Sequence, residues 1–289
     1  MSPTEPSLSI ILPAKNEGAA LNTLIPALKQ LYSQAEIIVV NDGSTDDTVA
    51  ICHAQGVNVV SHPYSMGNGA AVKSGARAAR GDALVFMDAD GQHNPEDIQR
   101  LLAKLHEGYD MVVGARDWDS QANLGRGIAN ALYNRLASWM VGHKISDLTS
   151  GLRAVRARKF KQFLYLLPNG FSYPTTITMA FFRAGYPLDY VPIRAARRVG
   201  KSHIRPLQDG VRFFLIIFRV GTLYSPLKIF LPASVLFFVL GLIRYLYTFI
   251  TEGRFTIMSA LLFISSVIIF LIGLVSEQIT ALLYRPQDG

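Results

Sequence analysis

At 289 residues, 50% hydrophobic and 17% charged with a mean hydropathy of +0.25, the chain is too apolar for an ordinary soluble protein, and its 16 Phe and 12 Tyr exclude a disordered one. The single cysteine, Cys52, excludes a disulfide framework and a cysteine-based zinc site. The formal charge of +7 lies almost wholly in residues 194–225, with 7 Lys/Arg against 1 Asp/Glu, while residues 1–193 balance at 17 against 17 and lack the basic excess that a nucleic-acid-binding domain needs.

Met1 to Ser7 hold no basic region followed by an apolar run, which predicts no secretory signal and a first domain that stays in the cytoplasm. From there, apolar β-type runs at Leu8–Leu12, Glu36–Val40, Asn58–Ser61, Ala83–Met87 and Met111–Gly114 alternate with helical patterns. The helices fall near Ala20–Leu31, Asp46–Ala54, Gly69–Ala79 and Pro95–Glu107. Alternation of this kind predicts βαβ units and a mostly parallel sheet. Asn94 caps the last of these helices, Pro95 takes its first position and Gly108 its left-handed stop. Beyond Gly114 the pattern gives helices near Asn123–Val141, Ala157–Leu166 and Thr175–Ala184, with a mixed region from Asp147 to Val155.

The C-terminal third differs in kind. Ile229–Ile250 holds one charge, Arg244, near an end where it can snorkel, and Phe255–Ser276 holds none. Each run is long enough to cross a hydrocarbon core of about 30 Å. The short connector Thr251–Arg254 makes them a hairpin, and the basic residues just before it put both ends on the cytoplasmic side. Arg205, Gln208, Arg212 and Arg219 share one face of a helix whose other faces carry Val211, Phe214, Leu215 and Phe218, the pattern of a helix lying in the membrane interface.

Three polar clusters follow predicted strands and so collect at one sheet edge, where open parallel sheets bind ligands. After the first strand comes Pro13-Ala14-Lys15-Asn16-Glu17. After the second comes Asn41-Asp42-Gly43-Ser44-Thr45-Asp46-Asp47, where Ser44 and Asp47 suit helix capping and Asp42 is placed to accept hydrogen bonds from a base or ribose. After the fourth comes Asp88-Ala89-Asp90-Gly91-Gln92. In an extended chain Asp88, Asp90 and Gln92 point the same way, a set that suits Mg²⁺ or Mn²⁺ and equally describes a plain acidic turn. His93 reads as a loop residue. Gly67-Asn68-Gly69-Ala70-Ala71 opens a helix but lacks the third Gly of the dinucleotide fingerprint, and packing explains Ala70–Ala79 better than ligand binding.

These clusters, together with Asp147-Leu148-Thr149-Ser150-Gly151-Leu152-Arg153 and the segment from Val191-Pro192-Ile193 through Arg198-Val199-Gly200-Lys201-Ser202, resemble the family 2 glycosyltransferases of GT-A fold. They are most similar to the polyprenyl-phosphate sugar synthases. The resemblance implies a Rossmann-like, mostly parallel GT-A domain over residues 1–204, a juxtamembrane amphipathic helix over 205–225 and a two-helix transmembrane hairpin over 226–289. It further implies that Pro13, Ala14, Glu17, Asp42, Asp88, Ala89 and Lys201 hold the nucleotide sugar, and that Asp88, Asp90 and Gln92 hold Mg²⁺ or Mn²⁺. By the same resemblance, Arg116, Arg126, Ser150, Arg153, Arg198 and Ser202 are expected to grip the acceptor phosphate, and Asp90, Asp147 and Arg153 are the catalytic candidates. Asn41 departs from the Asp usual there.

The activity so implied is metal-dependent, inverting transfer of one sugar, from UDP-glucose or GDP-mannose, to polyprenyl phosphate at the cytoplasmic face of the cell membrane. A homo-oligomer packed through the membrane helices is compatible with it. A processive polysaccharide synthase is disfavoured by the lack of a Gln-x-x-Arg-Trp box. A silent sugar-nucleotide-binding protein is disfavoured by the intact Asp-x-Asp and Ser-Gly-x-Arg motifs.

Overall fold

The computed structural model describes residues 7–116, 124–170, 172–194, 218, 221–222 and 224–284, with backbone alone for 124–132. The chain divides into two compact units, Met1–His203 and Ile204–Gly289.

The first unit is a seven-stranded sheet with helices packed on it. In chain order the elements are β1 (Leu8–Ala14), α1 (Gly18–Leu31), β2 (Glu36–Asn41), α2 (Thr48–Ala54), β3 (Asn58–Ser61), α3 (Asn68–Ala78), β4 (Ala83–Phe86), α4 (Asp97–His106), β5 (Met111–Arg116), α5 (Leu124–Val141), β6 (Arg153–Arg156), α6 (Ala157–Lys161), α7 (Tyr173–Arg183) and β7 (Leu188–Ile193). The strand order is β3-β2-β1-β4-β6-β5-β7. All neighbours are parallel except β6, which runs antiparallel to both β4 and β5. Ile10, Leu12, Val39 and Val85 on the strands meet Leu21, Ile25 and Leu28 of α1 and Ile98 and Leu101 of α4 in one core. Ile11, Val40 and Leu84, on the opposite face of the central strands, are equally buried, which is why β1, β2 and β4 read as continuous apolar runs.

The chain leaves β1 to build β2 and β3 on one side, then crosses to β4 on the other side of β1. This reversal makes the β1/β4 boundary a topological switch point, where the loops leaving adjacent strands diverge and open a crevice. The predicted elements of residues 8–116 are present with ends shifted by a few residues. Helix α4 starts at Asp97 rather than Pro95, because the Asn94 side chain accepts from Glu96 N at 3.1 Å and its carbonyl from Asp97 N at 3.1 Å, forming a turn ahead of the helix. Strands β6 and β7 were not predicted as strands: one is four residues with Arg at each end, and the other carries Asp189 and Pro192. Pro192 is tolerated because β7 is the last strand of the sheet and presents a free side.

The second unit contains α8 (Pro226–Glu252) and α9 (Ile257–Leu283), both long and apolar enough to cross a membrane. Gly253 stops α8 at a φ of +64°, and the Thr256 side chain caps α9. Buried small residues recur every seven positions on each helix: Ser234, Gly241 and Thr248 on α8, and Ser259, Ser266, Gly273 and Thr280 on α9. Ser234 and Ser266 each donate to the other's carbonyl at 2.9 Å. Close approach of small residues with hydroxyl bonding is the packing available to helices in lipid, where apolar contact alone gives no preference for protein over acyl chains. At Gly273 a Cβ would lie 2.6 Å from Phe230 Cβ. Gly273→Leu is therefore expected to part the helices, costing about 1–3 kcal/mol. The check is oxidative cross-linking of a Ser234→Cys/Ser266→Cys pair, followed by mass spectrometry: efficient in the parent chain, and sharply reduced with Gly273→Leu.

Candidate active site

A cleft of about 470 Å³ opens at the switch point, lined by Pro13, Ala14, Lys15 and Glu17 after β1, Asp42 after β2, Ser65, Gly67, Asn68 and Ala71 around the start of α3, and Asp88, Ala89 and Asp90 after β4. The turns after β1 and β2 are stitched together. Asn16, at a φ of +57°, accepts from Thr45 N at 2.8 Å and donates its own N–H to Ser44 Oγ. Gly18 N donates to Asp46 Oδ2 and Glu17 N to Thr48 Oγ1. The Asn41 amide oxygen accepts from Ser44 N at 2.8 Å, so this residue holds its own turn.

Asp42 is buried, and its two oxygens already accept four hydrogen bonds. These come from His62 Nδ1 at 2.8 Å and Met66 N at 2.7 Å on one oxygen, and from Ser65 Oγ at 2.8 Å and Gly67 N at 2.9 Å on the other. A carboxylate has about four lone-pair positions. In this arrangement Asp42 anchors the 62–67 loop while lining the cleft. Burial pushes its carboxyl up, but the His62 bond and the other three donors outweigh burial and hold it below the usual carboxylate range. His62 bridges on to Ser74 Oγ at 2.9 Å. Neither His62 nor Ser65 stood out in the sequence; the available signal was that β3, like β1, β2 and β4, ends at this edge.

Asp88 and Asp90 line the cleft together, though not by strand alternation. Strand β4 ends at Phe86, and Gly91, at a φ of +72°, turns the chain so that Gln92 N donates to Asp90 Oδ1 at 3.1 Å. Gln92 follows at the turn and is not among the residues that line the cleft. The Asp88 side chain is 39% exposed, with His93 Nε2 at 3.8 Å. Its carboxylate lies over Gly151, where a Cβ would meet Oδ2 at 2.0 Å. Among the described residues no group of three His, Cys, Asp or Glu gathers. Two partly open carboxylates, without thiolate, fit a hard divalent ion whose remaining positions are left for phosphate oxygens and water.

The remaining predicted residues divide by burial. Asp147 is 4% exposed and takes a two-point ion pair from Arg116, with Nε to Oδ2 at 2.7 Å and Nη2 to Oδ1 at 3.1 Å; it also accepts from Thr149 N at 3.0 Å. Arg116 Nη2 donates to Thr149 Oγ1 at 2.7 Å. Asp147 is thus enclosed and anchors Arg116. Arg153, expected to grip a phosphate, is 0% exposed, and Ser150 is equally enclosed, its hydroxyl without a hydrogen-bond partner among the described residues. The start of α3 is occupied too: Gly69 N and Ala70 N donate to the carbonyls of Gly170 and Asn169, so packing explains its small residues. Arg126 lies on α5, its side chain outside the described residues, as are Arg198, Lys201 and Ser202 and most of the predicted interfacial helix.

Residues 9–164 match the family described as glycosyl transferase family 2, and residues 225–282 match the GtrB C-terminal hairpin. The chain belongs to glycosyl transferase family 2. It is 28% identical over 235 residues to glycosyltransferase AglJ of Haloferax volcanii, covering 79% of this chain and 76% of that one. It is 34% identical over 164 residues to the undecaprenyl-phosphate 4-deoxy-4-formamido-L-arabinose transferase of Klebsiella pneumoniae, covering 53% of this chain and 50% of that one. Among solved structures it is similar to the glucosyl-3-phosphoglycerate synthase of Mycobacterium tuberculosis in complex with Mn²⁺, UDP-glucose and phosphoglyceric acid. That likeness has a TM-score of 0.60 and 25% identity, and covers 75% of this chain and 79% of that one. The protein is therefore a glycosyltransferase enzyme with two helices able to span a membrane.

The Arg116–Asp147 pair makes a stability prediction. Burial raises the Asp147 carboxyl, but the hydrogen bonds and charge of Arg116 reverse that and hold it below the usual range. A folded-state value below the unfolded one means the contribution is present above the carboxylate range and fades as pH falls through it. Asp147→Asn should lower unfolding free energy by about 3 kcal/mol at neutral pH. The loss should shrink as pH falls through and below the usual carboxylate range; urea titrations at a series of pH values from neutral downward check this.

Proposed function

We propose that this enzyme moves a single sugar from a nucleotide sugar to the phosphate of a membrane polyprenol, at the cytoplasmic face of the cell membrane and with inversion at the anomeric carbon. The observation that carries the reading is the pairing of Asp88 and Asp90, two partly open carboxylates in a switch-point cleft, with a C-terminal pair of membrane-length helices on the same chain. The likeness to a synthase crystallised with Mn²⁺ and UDP-glucose supports a uridine donor, with GDP-mannose the other candidate. The relative named for undecaprenyl phosphate supports the lipid acceptor.

In this reading Pro13, Ala14 and Glu17 form the wall for the nucleoside, and the Asp42-anchored 62–67 loop closes the other side. Asp88 and Asp90 hold Mg²⁺ or Mn²⁺. When bound, that ion offsets the charge that develops on the departing diphosphate. An acceptor phosphate already carries an anionic oxygen at neutral pH, so the protein's task is to orient it rather than to remove a proton, which suits an Asp147 that is enclosed and paired with Arg116. The basic segment 194–225 draws anionic head groups and keeps both termini on the cytoplasmic side. Residues 1–204 act as the catalytic domain, 205–225 as an interfacial helix and 226–289 as the membrane hairpin.

The test uses the full chain in detergent or nanodiscs with undecaprenyl phosphate, Mn²⁺ and a panel of nucleotide sugars. One donor is expected to yield a lipid-linked monosaccharide, with chelation by EDTA abolishing transfer and Asp90→Asn lowering kcat by about 100-fold or more. No product with any donor, or full activity in Asp90→Asn, would overturn the reading.

A further inference from the structure

We infer that Arg153 is a positioning residue for the metal-binding carboxylate Asp88, acting through the Ser150 carbonyl and the bare backbone of Gly151. This rests on the proposed role of Asp88 and names residues beyond those that touch a ligand. Arg153 sits on β6, the strand inserted between β4 and β5, with Phe86 its partner on one side and Val113 on the other. Its side chain is 0% exposed and no carboxylate lies within ion-pair distance among the described residues. The guanidinium instead donates Nε and Nη2 to Ser150 O at 3.2 and 2.8 Å. Its Nη1 donates to Pro174 O at 3.0 Å and to Thr178 Oγ1 at 3.2 Å, and the group lies 5.8 Å from the Tyr173 ring centroid.

A buried cation that bonds only neutral oxygens is expensive to enclose, and the planar fork is suited to fixing carbonyl groups in place. Here the fork ties the 147–152 loop to the first turns of α7. The residue after the gripped carbonyl is Gly151, and the Asp88 carboxylate rests on it so closely that a Cβ would stand 2.0 Å from Oδ2, 2.5 Å from Cγ and 2.7 Å from Oδ1. Arg153 holds Ser150, Ser150 sets the path of Gly151, and Gly151 sets where the Asp88 carboxylate stands in the cleft. The Ser150 hydroxyl, buried and without a hydrogen-bond partner among the described residues, plays no part in this chain; its carbonyl does. Direct contact between Arg153 and an acceptor phosphate would require the side chain to abandon four hydrogen bonds and leave an interior site.

The two roles separate by what they perturb. Outer-shell partners of metal ligands typically change metal affinity by about 10–100-fold when altered. The experiment measures Mn²⁺ binding to the full detergent-solubilised chain by electron paramagnetic resonance, with Mn²⁺ alone and with UDP or GDP, and separately the KM for undecaprenyl phosphate. The variants are Arg153→Lys, Gly151→Ala and the milder Thr178→Val, which trims one partner of the guanidinium and keeps the test decisive where Arg153→Lys does not fold. Mn²⁺ affinity is expected to fall about 10-fold or more in Gly151→Ala and Arg153→Lys, and less in Thr178→Val, with the acceptor KM changed less than about two-fold. Unchanged Mn²⁺ affinity with a raised acceptor KM would overturn the positioning role and leave Asp88 as a metal ligand. Failure of the unaltered chain to bind Mn²⁺ would overturn Asp88 as a ligand, and both readings with it.

Discussion

The structure turns on the contact between the Asp88 carboxylate and the unsubstituted Cα of Gly151. Strand β4 delivers Asp88 to the sheet edge, but the loop before β6 delivers Gly151 to the same point only because β6 runs against its neighbours. A parallel β6 would place that loop at the far end of the sheet. One reversed strand in an otherwise parallel sheet is therefore what brings Gly151 against Asp88, and the absence of a side chain at residue 151 is what lets the carboxylate settle there.

Around that contact the charges are sorted by how they are satisfied. Asp147 and Arg116 neutralise each other, Asp42 anchors the 62–67 loop, and Arg153 is enclosed among carbonyls. The charges of Asp88 and Asp147 both act on Arg116 and Arg153. What the protein leaves partly open at the β4 edge of the cleft is the pair Asp88 and Asp90. Polar groups that are fully paired within the protein rigidify the site, and this economy of open groups is the usual mark of a binding pocket with few, well-placed polar contacts.

Much of this was legible before any coordinates, and the exceptions have physical causes. The alternation of apolar runs and helical patterns marked five strands, four of them because they are buried on both faces and so almost uniformly apolar, and the short, half-exposed β3 by its Val59-Val60 pair. It missed β6, whose first residue is an arginine that ends up fully buried, and β7, whose Pro192 is admissible only at a sheet edge. Asp88 and Asp90 were found, yet through an argument of strand alternation that fails once β4 stops at Phe86; both line the cleft from the loop beyond the strand, ahead of the turn at Gly91. For Asp42, Asp147 and Arg153 the residues were identified but not their partners, because His62, Arg116 and Thr178 come from distant segments that only the folded sheet assembles. The membrane helices were legible from length and apolarity, while the seven-residue spacing of small residues gains its meaning only from the hydrogen-bonded Ser234–Ser266 contact.

A family 2 glycosyltransferase domain is followed on the same chain by a helical hairpin long and apolar enough to cross a membrane. The central claim is that the Asp88–Asp90 edge of the cleft, held by Gly151, is where the divalent ion and diphosphate meet. Anomalous diffraction from crystals soaked with Mn²⁺ and UDP tests it most directly. The account predicts a manganese peak about 2.1 Å from carboxylate oxygens of Asp88 and Asp90, with diphosphate oxygens completing the shell. A peak elsewhere, or bound nucleotide with no metal at these two carboxylates, would contradict it.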